Sequence, residues 1–225
     1  MNVGVIGAMQ VELEYLLNNL EHTKEEHRGI TVYQAKINGN NVFIIQCGVG
    51  KVNASIATSI LILDYKCDLI INSGIAGGVS PLHTKEVILA KNVAYHDVDV
   101  TQFGYMRGEI PGMPLFLTPR EKDLDIVRNA LEKLDIEFKE ATVYTGDQFV
   151  SSYEQIKGLE SGGFACEMEG AAIGHTALKL GAGFVILRFI SDVIGHPSQI
   201  DNYSLFEEEM ALKSAKICLS VLNNL

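Results

Sequence analysis

Short apolar segments alternate with amphipathic segments along the whole chain, and no linker rich in Pro, Ser or Gly separates them. Apolar, β-branched runs predict buried strands, and apolar residues spaced three and four apart predict helices that pack on a sheet. This alternation is typical of the α/β class. We therefore expect a single domain over residues 1–225, a three-layer αβα fold with a mixed, twisted sheet at its centre.

The pattern predicts strands at 3–6, 31–37, 41–47, 68–72, 87–93, 140–145, 164–168 and 183–190. It predicts helices at 10–20, 51–63, 120–134, 170–180 and 205–222. Between the second and third strands lies Asn-Gly-Asn at 38–40, a hairpin signal, so these two strands are expected to pair antiparallel. The segment Ser-Gly-Ile-Ala-Gly-Gly at 73–78 is expected to form a glycine-rich turn that closes the fourth strand.

Composition narrows the range of partners. The chain has 225 residues, 47% of them hydrophobic, so it can bury a core without disulfides, metal or lipid. Its 18 Lys and Arg against 28 Asp and Glu give a formal charge of −10, and nucleic acid, which is held by clustered cations, is not an expected partner. The four cysteines are scattered without metal-ligand spacing and are expected to be buried, reduced thiols: Cys47, Cys67, Cys166 and Cys218.

Targeting signals are not evident in the sequence. The first residues lack the basic start, apolar run and cleavage site of a signal peptide. No apolar segment approaches the roughly 18 residues that a membrane-spanning helix needs. We therefore expect a cytoplasmic protein without a membrane partner.

Candidate chemistry lies where predicted strands end, because polar groups at those positions converge on the ligand crevice of an open α/β sheet. Glu12 follows the first strand and begins a helix, where a favourable charge against the helix dipole is the alternative interpretation. The glycine-rich segment at 73–78 offers backbone N–H groups to a ligand, although a plain tight turn explains it equally well. It matches neither the dinucleotide fingerprint nor the Walker A loop, so the sequence indicates no nucleotide cofactor.

Two further strand ends carry charged residues. Glu167 and Glu169 flank Met168, and in a strand both would point to one face, where a carboxylate could accept hydrogen bonds from paired sugar hydroxyls. Helix N-terminal charge is the alternative for either residue. Arg188 lies within an apolar strand and should have an acidic partner, while Asp192 at that strand's end could act on a ligand or cap a turn.

Taken in order, these segments resemble the 5'-methylthioadenosine/S-adenosylhomocysteine nucleosidases of the nucleoside phosphorylase/hydrolase superfamily. The resemblance spans essentially the whole chain. It is carried by residues 4–9 with Glu12, 48–54, 71–78, 95–105, 145–149, 167–170 and 190–192.

The resemblance implies that water cleaves the N-glycosidic bond of a 5'-substituted adenosine, giving adenine and a 5-substituted ribose. Asp192, oriented by Ser191, matches the acid that serves adenine N7, and it needs a raised pKa for that role. Glu12 matches the base that deprotonates water, with Arg188 helping to arrange the site. Glu169 matches the residue that binds the ribose 2'- and 3'-hydroxyls.

The resemblance also implies a set of substrate contacts. Met168 would pack on the sugar, Phe149 would stack on adenine, and the Val150 backbone would hydrogen-bond the base edge. The apolar lining of the ribose and 5'-alkylthio pocket would be Met9, Val49, Phe103 and Tyr203, although core packing is the alternative for Met9 and Val49. Ile75 stands where relatives often have Ser or another small residue, and 193–197 also departs from the family pattern, so the preferred 5'-substituent stays open.

The family's Phe103 position reaches across a dimer interface, so a homodimer is expected, with no cofactor and no metal.

Two alternatives remain. A purine nucleoside phosphorylase on the same fold would need cationic or amide donors for phosphate, and the first arginine in this chain is Arg28, later than phosphorylases typically place one. A catalytically silent nucleoside-binding protein is the other, against which Glu12, Glu169 and Asp192 together argue.

Overall fold

The computed structural model describes residues 1–159 and 162–225. These residues form nine strands and five α-helices. The strands are β1 (Asn2–Gly7), β2 (His22–His27), β3 (Ile30–Ile37), β4 (Asn40–Gln46), β5 (Leu69–Gly78), β6 (Val87–Tyr95), β7 (Lys139–Thr145), β8 (Ala165–Glu167) and β9 (Gly183–Val193). The helices are α1 (Gln10–Asn18), α2 (Lys51–Leu63), α3 (Glu121–Lys133), α4 (Gly170–Leu180) and α5 (Gln199–Leu222), and short 3₁₀ turns lie at Thr101–Phe103 and Tyr153–Ile156.

The strands form one mixed sheet in the order β2-β3-β4-β1-β5-β8-β7-β6-β9. β1 runs parallel to β4 and β5, and β3 runs antiparallel to β4, as the hairpin signal predicts. β9 pairs antiparallel with β6 and also parallel with β5, so the second half of the sheet closes on itself. The mixed central sheet is confirmed, and its closure is a feature that the sequence pattern does not reveal.

Helices cover both faces of the sheet, which confirms the three-layer arrangement. On one face α2 and α4 pack together, with Leu61 and Ile173 in the core beneath them. On the other face α5 packs against α1 and α3, and Leu16 and Val221 lie in that second core. Apolar side chains on both sides of the central strands explain why those strands read as continuous apolar runs.

Three elements differ from the sequence-based prediction. β2 was not predicted, because its sequence HTKEEH is polar; it is an exposed edge strand, where charged side chains are common. Residues 73–78 do not form a turn, since β5 continues to Gly78 while pairing with β9, which itself extends to Val193. α5 begins at Gln199 rather than near 205, and its polar first turn explains why apolar spacing placed the start too late.

Among residues 1–159 and 162–225, the structure contains no helix that combines the length and apolarity needed to cross a bilayer.

Candidate active site

A cleft with about 530 Å³ of space, partly open to solvent, lies where β1, β5, β8 and β9 end. Four of the polar residues predicted from the sequence line it: Glu12, Glu169, Ser191 and Asp192. Six of the predicted apolar or aromatic residues line it as well: Met9, Val49, Ile75, Phe149, Met168 and Tyr203.

Glu12 projects from the first turn of α1 and is only 5% exposed. Its Oε2 accepts hydrogen bonds from the backbone N–H groups of Ala8 (2.7 Å) and Met9 (3.0 Å), and its Oε1 accepts one from Ile75 (3.4 Å). Burial raises the pKa of Glu12, while the charge of Arg188 and these N–H groups oppose the rise. The result is a fixed, desolvated carboxyl group whose second oxygen faces β5.

Two glycines of β5 make room for the carboxylates of the cleft. A Cβ atom on Gly74 would lie 2.5 Å from Oε1 of Glu12, and one on Gly77 would lie 3.1 Å from Oδ2 of Asp192. The register of β5 against β9 shifts between Ala76 and Gly77, so that Gly77 pairs with Asp192. The glycine-rich segment therefore contributes to the site through the side chains it admits, in a strand rather than in the predicted turn.

Arg188 is buried in β9, and its acidic partner is Glu167. The guanidinium also donates to the Asn72 side-chain oxygen, and Glu167 in turn accepts from the Thr145 hydroxyl. Glu167 further accepts the backbone N–H groups of Glu169 (3.0 Å) and Gly170 (2.8 Å) at the start of α4. The predicted acidic partner of Arg188 is thus confirmed. Arg188 lies behind the cleft and acts on Glu12 through its charge.

Glu169 is the N-cap residue of α4 and is 6% exposed. Its Oε1 accepts the backbone N–H of Gly50 at 2.8 Å. Burial and the neighbouring Glu167 charge raise the pKa of Glu169 to about 8, although Arg188 and Gly50 oppose the rise. Of the two carboxyl groups around Met168, Glu167 forms the ion pair with Arg188. Glu169 is the one in the cleft whose protonation changes near neutral pH.

Asp192 is almost fully buried near the end of β9. Its Oδ1 accepts the Ser191 hydroxyl at 2.6 Å, as expected for an orienting serine, and its Oδ2 accepts the side-chain amide of Gln199 at 2.8 Å. Burial raises the pKa of Asp192, and these two hydrogen bonds partly offset the rise. Gln199 was missed in the sequence analysis, since a glutamine at a helix start carries no pattern that identifies it.

The aromatic residues of the cleft lie at its rim. Phe149 is 46% exposed, and its ring meets that of Tyr203 edge to face at 5.4 Å. Two predicted contacts lie elsewhere. Val150 does not line the cleft, because its carbonyl accepts the Gln199 amide at 2.8 Å, and Phe103 is 80% exposed in the 3₁₀ turn at 101–103.

The cysteines are free, and three of them are buried as expected, with Cys47 half-buried. In the part of the chain that the structure describes, no cluster of three or more His, Cys, Asp or Glu side chains has the arrangement of a metal site.

Comparison with known proteins agrees with this geometry. The family model of the phosphorylase superfamily matches residues 2–223. The 5'-methylthioadenosine/S-adenosylhomocysteine nucleosidase of Bacillus subtilis (strain 168) is 36% identical over 233 residues, which cover 100% of both chains.

Two solved structures superimpose over the full length of the chain. The S-adenosylhomocysteine nucleosidase of Streptococcus pyogenes, in complex with 5-methylthiotubericidin, has a TM-score of 0.92 and 34% identity, covering 100% of this chain and 97% of that one. The nucleosidase of Colwellia psychrerythraea 34H, in complex with adenine, has a TM-score of 0.92 and 33% identity, covering 100% and 96%. The chain therefore belongs to the phosphorylase superfamily and, within it, to the 5'-methylthioadenosine/S-adenosylhomocysteine nucleosidases, which are N-glycosyl hydrolases.

Proposed function

We propose that this enzyme uses water to cleave the N-glycosidic bond of 5'-methylthioadenosine, S-adenosylhomocysteine and 5'-deoxyadenosine, within a single domain. The products are adenine and the matching 5-substituted ribose. The observation that carries the proposal is a pair of buried carboxyl groups, Glu12 and Asp192, that line one cleft and are held by different donors. Gly74 and Gly77, which face them, lie on β5 on either side of its register shift.

Asp192 is the proposed general acid. Adenine leaves poorly as an anion, so its N7 must receive a proton while the sugar carbon gains positive charge. The raised pKa of Asp192 favours the protonated carboxyl that this step needs. Ser191, which holds Oδ1, leaves Oδ2 as the oxygen that carries the proton to N7.

Glu12 is the proposed base for water. Burial raises the pKa of Glu12, which makes its carboxylate a stronger base, and three backbone N–H groups and the charge of Arg188 oppose the rise. A proton taken from water by Glu12 produces the hydroxide equivalent that attacks the anomeric carbon. In this role Arg188 is a positioning residue, because it acts on Glu12 through charge.

The remaining residues would hold the substrate. The carboxylate of Glu169 would accept both ribose hydroxyls, Met168 would pack on the sugar, and Phe149 would stack on adenine. Met9, Val49, Ile75 and Tyr203 would line the 5'-substituent pocket, and the backbone of Val150 would bind the base edge.

Water is favoured over phosphate as the nucleophile. Among the described residues that line the cleft, none is Lys or Arg. Arg28 pairs with Asp64 at the surface, and Arg188 is engaged by Glu167. A phosphorylase would need a free cationic donor for phosphate.

A homodimer is part of the proposal. Phe103 (80% exposed), Met106 (64%) and Val52 (69%) place large apolar side chains at the surface. The salt bridge of Lys51 with Asp97 (2.6 Å) makes the start of α2 a neighbour of the segment that leads to Phe103. Large exposed apolar side chains on neighbouring segments favour a protein partner, here a second copy whose Phe103 would reach the cleft.

The test is incubation of the purified protein with 5'-methylthioadenosine and S-adenosylhomocysteine, with and without phosphate, while free adenine and the sugar product are followed by chromatography. We expect adenine release without phosphate. Release only with phosphate, yielding a ribose 1-phosphate, would identify a phosphorylase, and no release would favour a binding protein. Asp192→Asn and Glu12→Gln should each keep the fold and lower turnover about 10²–10⁴-fold.

A further inference from the structure

Gln199 is a buried side chain that contacts the proposed acid and has no place in the mechanism above. It is 4% exposed and begins α5. Its Nε2 donates both protons, one to Oδ2 of Asp192 and one to the carbonyl oxygen of Val150, each at 2.8 Å. Its Oε1 accepts the backbone N–H of Gly195 at 3.0 Å. The carboxamide is therefore fully hydrogen-bonded and held in one orientation.

Gln199 bridges two groups that the proposed function assigns to adenine, namely Oδ2 of Asp192 and the backbone of Val150. Val150 would bind the base edge, and Oδ2 of Asp192 would serve N7. One amide group cannot donate to these oxygens while a base occupies the same position. Neither Gln199 nor Val150 lines the open part of the cleft while this contact is made.

We infer that Gln199 occupies the base subsite of the free enzyme, stabilises the ionised form of Asp192, and is displaced when adenine binds. This inference rests on the proposed function for its choice of base. Donation from an amide stabilises the ionised carboxyl, which cannot protonate N7. Withdrawal of Gln199 would remove that donor, so base binding and protonation of Asp192 would occur together. Gln199 is thus a positioning residue, and it disfavours protonation of Asp192 until adenine binds.

The surroundings of Asp192 make it responsive to this one contact. The hydrogen bonds of Gln199 and Ser191 lower the pKa of Asp192 against the effect of burial. The titratable groups facing it are the Cys166 thiol of β8 and the Tyr203 hydroxyl of α5. Burial raises the pKa of both, to about 12 for Tyr203, so both are neutral over the range in which Asp192 titrates. β5 presents only Gly77 to Oδ2.

The decisive variant is Gln199→Met, which keeps the length of the side chain and removes its donors. Carbon-13 NMR of the aspartate carboxyls, assigned with Asp192→Asn, would follow the titration of Asp192 without any substrate. We expect its midpoint to rise by about one pH unit, a tenfold change in proton affinity. In the pH profile of kcat/KM, the alkaline limb should move to higher pH by the same amount, because it reports the pKa of the acid in the free enzyme.

Adenine binding, measured by calorimetry, tests displacement directly. Adenine should bind Gln199→Met about tenfold more tightly, since the side chain that leaves the subsite no longer has to break hydrogen bonds to Asp192, Val150 and Gly195. Gln199→Ala serves as a second variant if the methionine protein does not fold. The matched control is Gln155→Met, which removes a nearby glutamine whose amide donates to the Phe149 carbonyl. None of the hydrogen bonds that the structure describes for Gln155 involves Asp192. It should leave the titration of Asp192 unchanged.

The inference is overturned if Asp192 titrates identically in the wild type and in both Gln199 variants, or if adenine binds the variants more weakly. If the Gln199 variants lose stability and activity while the alkaline limb of the kcat/KM profile stays at the same pH, Gln199 has a structural role only. Failure of the proposed function is a separate result, namely no adenine release by the wild-type enzyme from any of the nucleosides. The NMR titration needs no substrate and still decides the Gln199 contact in that case.

Discussion

Replacing Glu169 with Gln should stabilise the free enzyme against unfolding, and the gain should grow with pH. Gln keeps the oxygen that accepts the Gly50 N–H, so the N-cap of α4 retains its geometry. What changes is the charge. The carboxylate of Glu169 is buried beside Glu167, and this environment penalises its ionised form.

The size of the effect follows from the pKa of this carboxyl, about 8 in the folded enzyme against an ordinary value of 4.5. Between these two pH values the unfolded chain has lost the proton, whereas the folded chain keeps it. Stability of the wild type therefore falls as the pH rises, by up to about 1.4 kcal/mol per pH unit. Across the whole interval the loss is about 3–5 kcal/mol, and the variant avoids it. Below the ordinary pKa both states hold the proton, and the difference disappears.

Urea unfolding at fixed protein concentration, at several pH values from about 5 to 8, measures this difference as the free energy of unfolding. Glu12 and Asp192 also have raised pKa values, but they are present in both proteins and contribute to both curves. Glu14→Gln, an exposed residue of α1, is the matched control and should leave the slope unchanged. Parallel curves for the wild type and Glu169→Gln would refute the reasoning. The same variant should raise KM, most of all above a pH of about 8, where Glu169 is ionised in the folded enzyme and a carboxylate accepts the ribose hydroxyls more strongly than an amide.

Three further predictions follow from the packing of the site. Gly74→Ala should lower kcat about 10²-fold in the adenine-release assay, because the new Cβ displaces Glu12, with little change in melting temperature. Arg188→Met should cost about 3–5 kcal/mol in urea unfolding by leaving Glu167 buried without a partner, and the added change Glu167→Gln should restore much of the loss. Phe103→Ser should weaken self-association in sedimentation velocity, and an unchanged sedimentation coefficient would contradict the dimer surface.

The order of strands and helices could be predicted largely because burial leaves a period in the sequence. β1 and β9 are apolar on both faces, and α3 shows apolar residues at helical spacing. β2 could not be predicted, since an exposed edge strand needs no apolar alternation. The extension of β5 to Gly78 also escaped prediction. Its glycines have low strand propensity, and the backbone pairing with β9 that overrides this preference comes from residues more than a hundred positions away.

The candidate site shows the same division between what is local and what is distant. Glu12, Glu169 and Asp192 follow or end strands, and position along the chain was enough to bring them into one cleft. The sequence predicted that Arg188 has an acidic partner. That this partner is Glu167 depends on how β8 lies beside its neighbours in the sheet. Gln199 and Gly74 act through single atoms that face a carboxylate, and no spacing in the sequence records such contacts.

These contacts bear on how two similar carboxyl groups could take opposite roles. Burial raises the pKa of Glu12, and the backbone N–H donors and the fixed arginine that oppose this rise are built into the fold. Asp192 is held by a hydroxyl and by the Gln199 amide, and a side chain at a helix start can withdraw. If it does so when adenine binds, burial, then opposed by the Ser191 hydrogen bond but no longer by Gln199, favours the proton on Asp192. The donors to the base would thus be permanent, whereas the donors to the acid would change when its substrate binds.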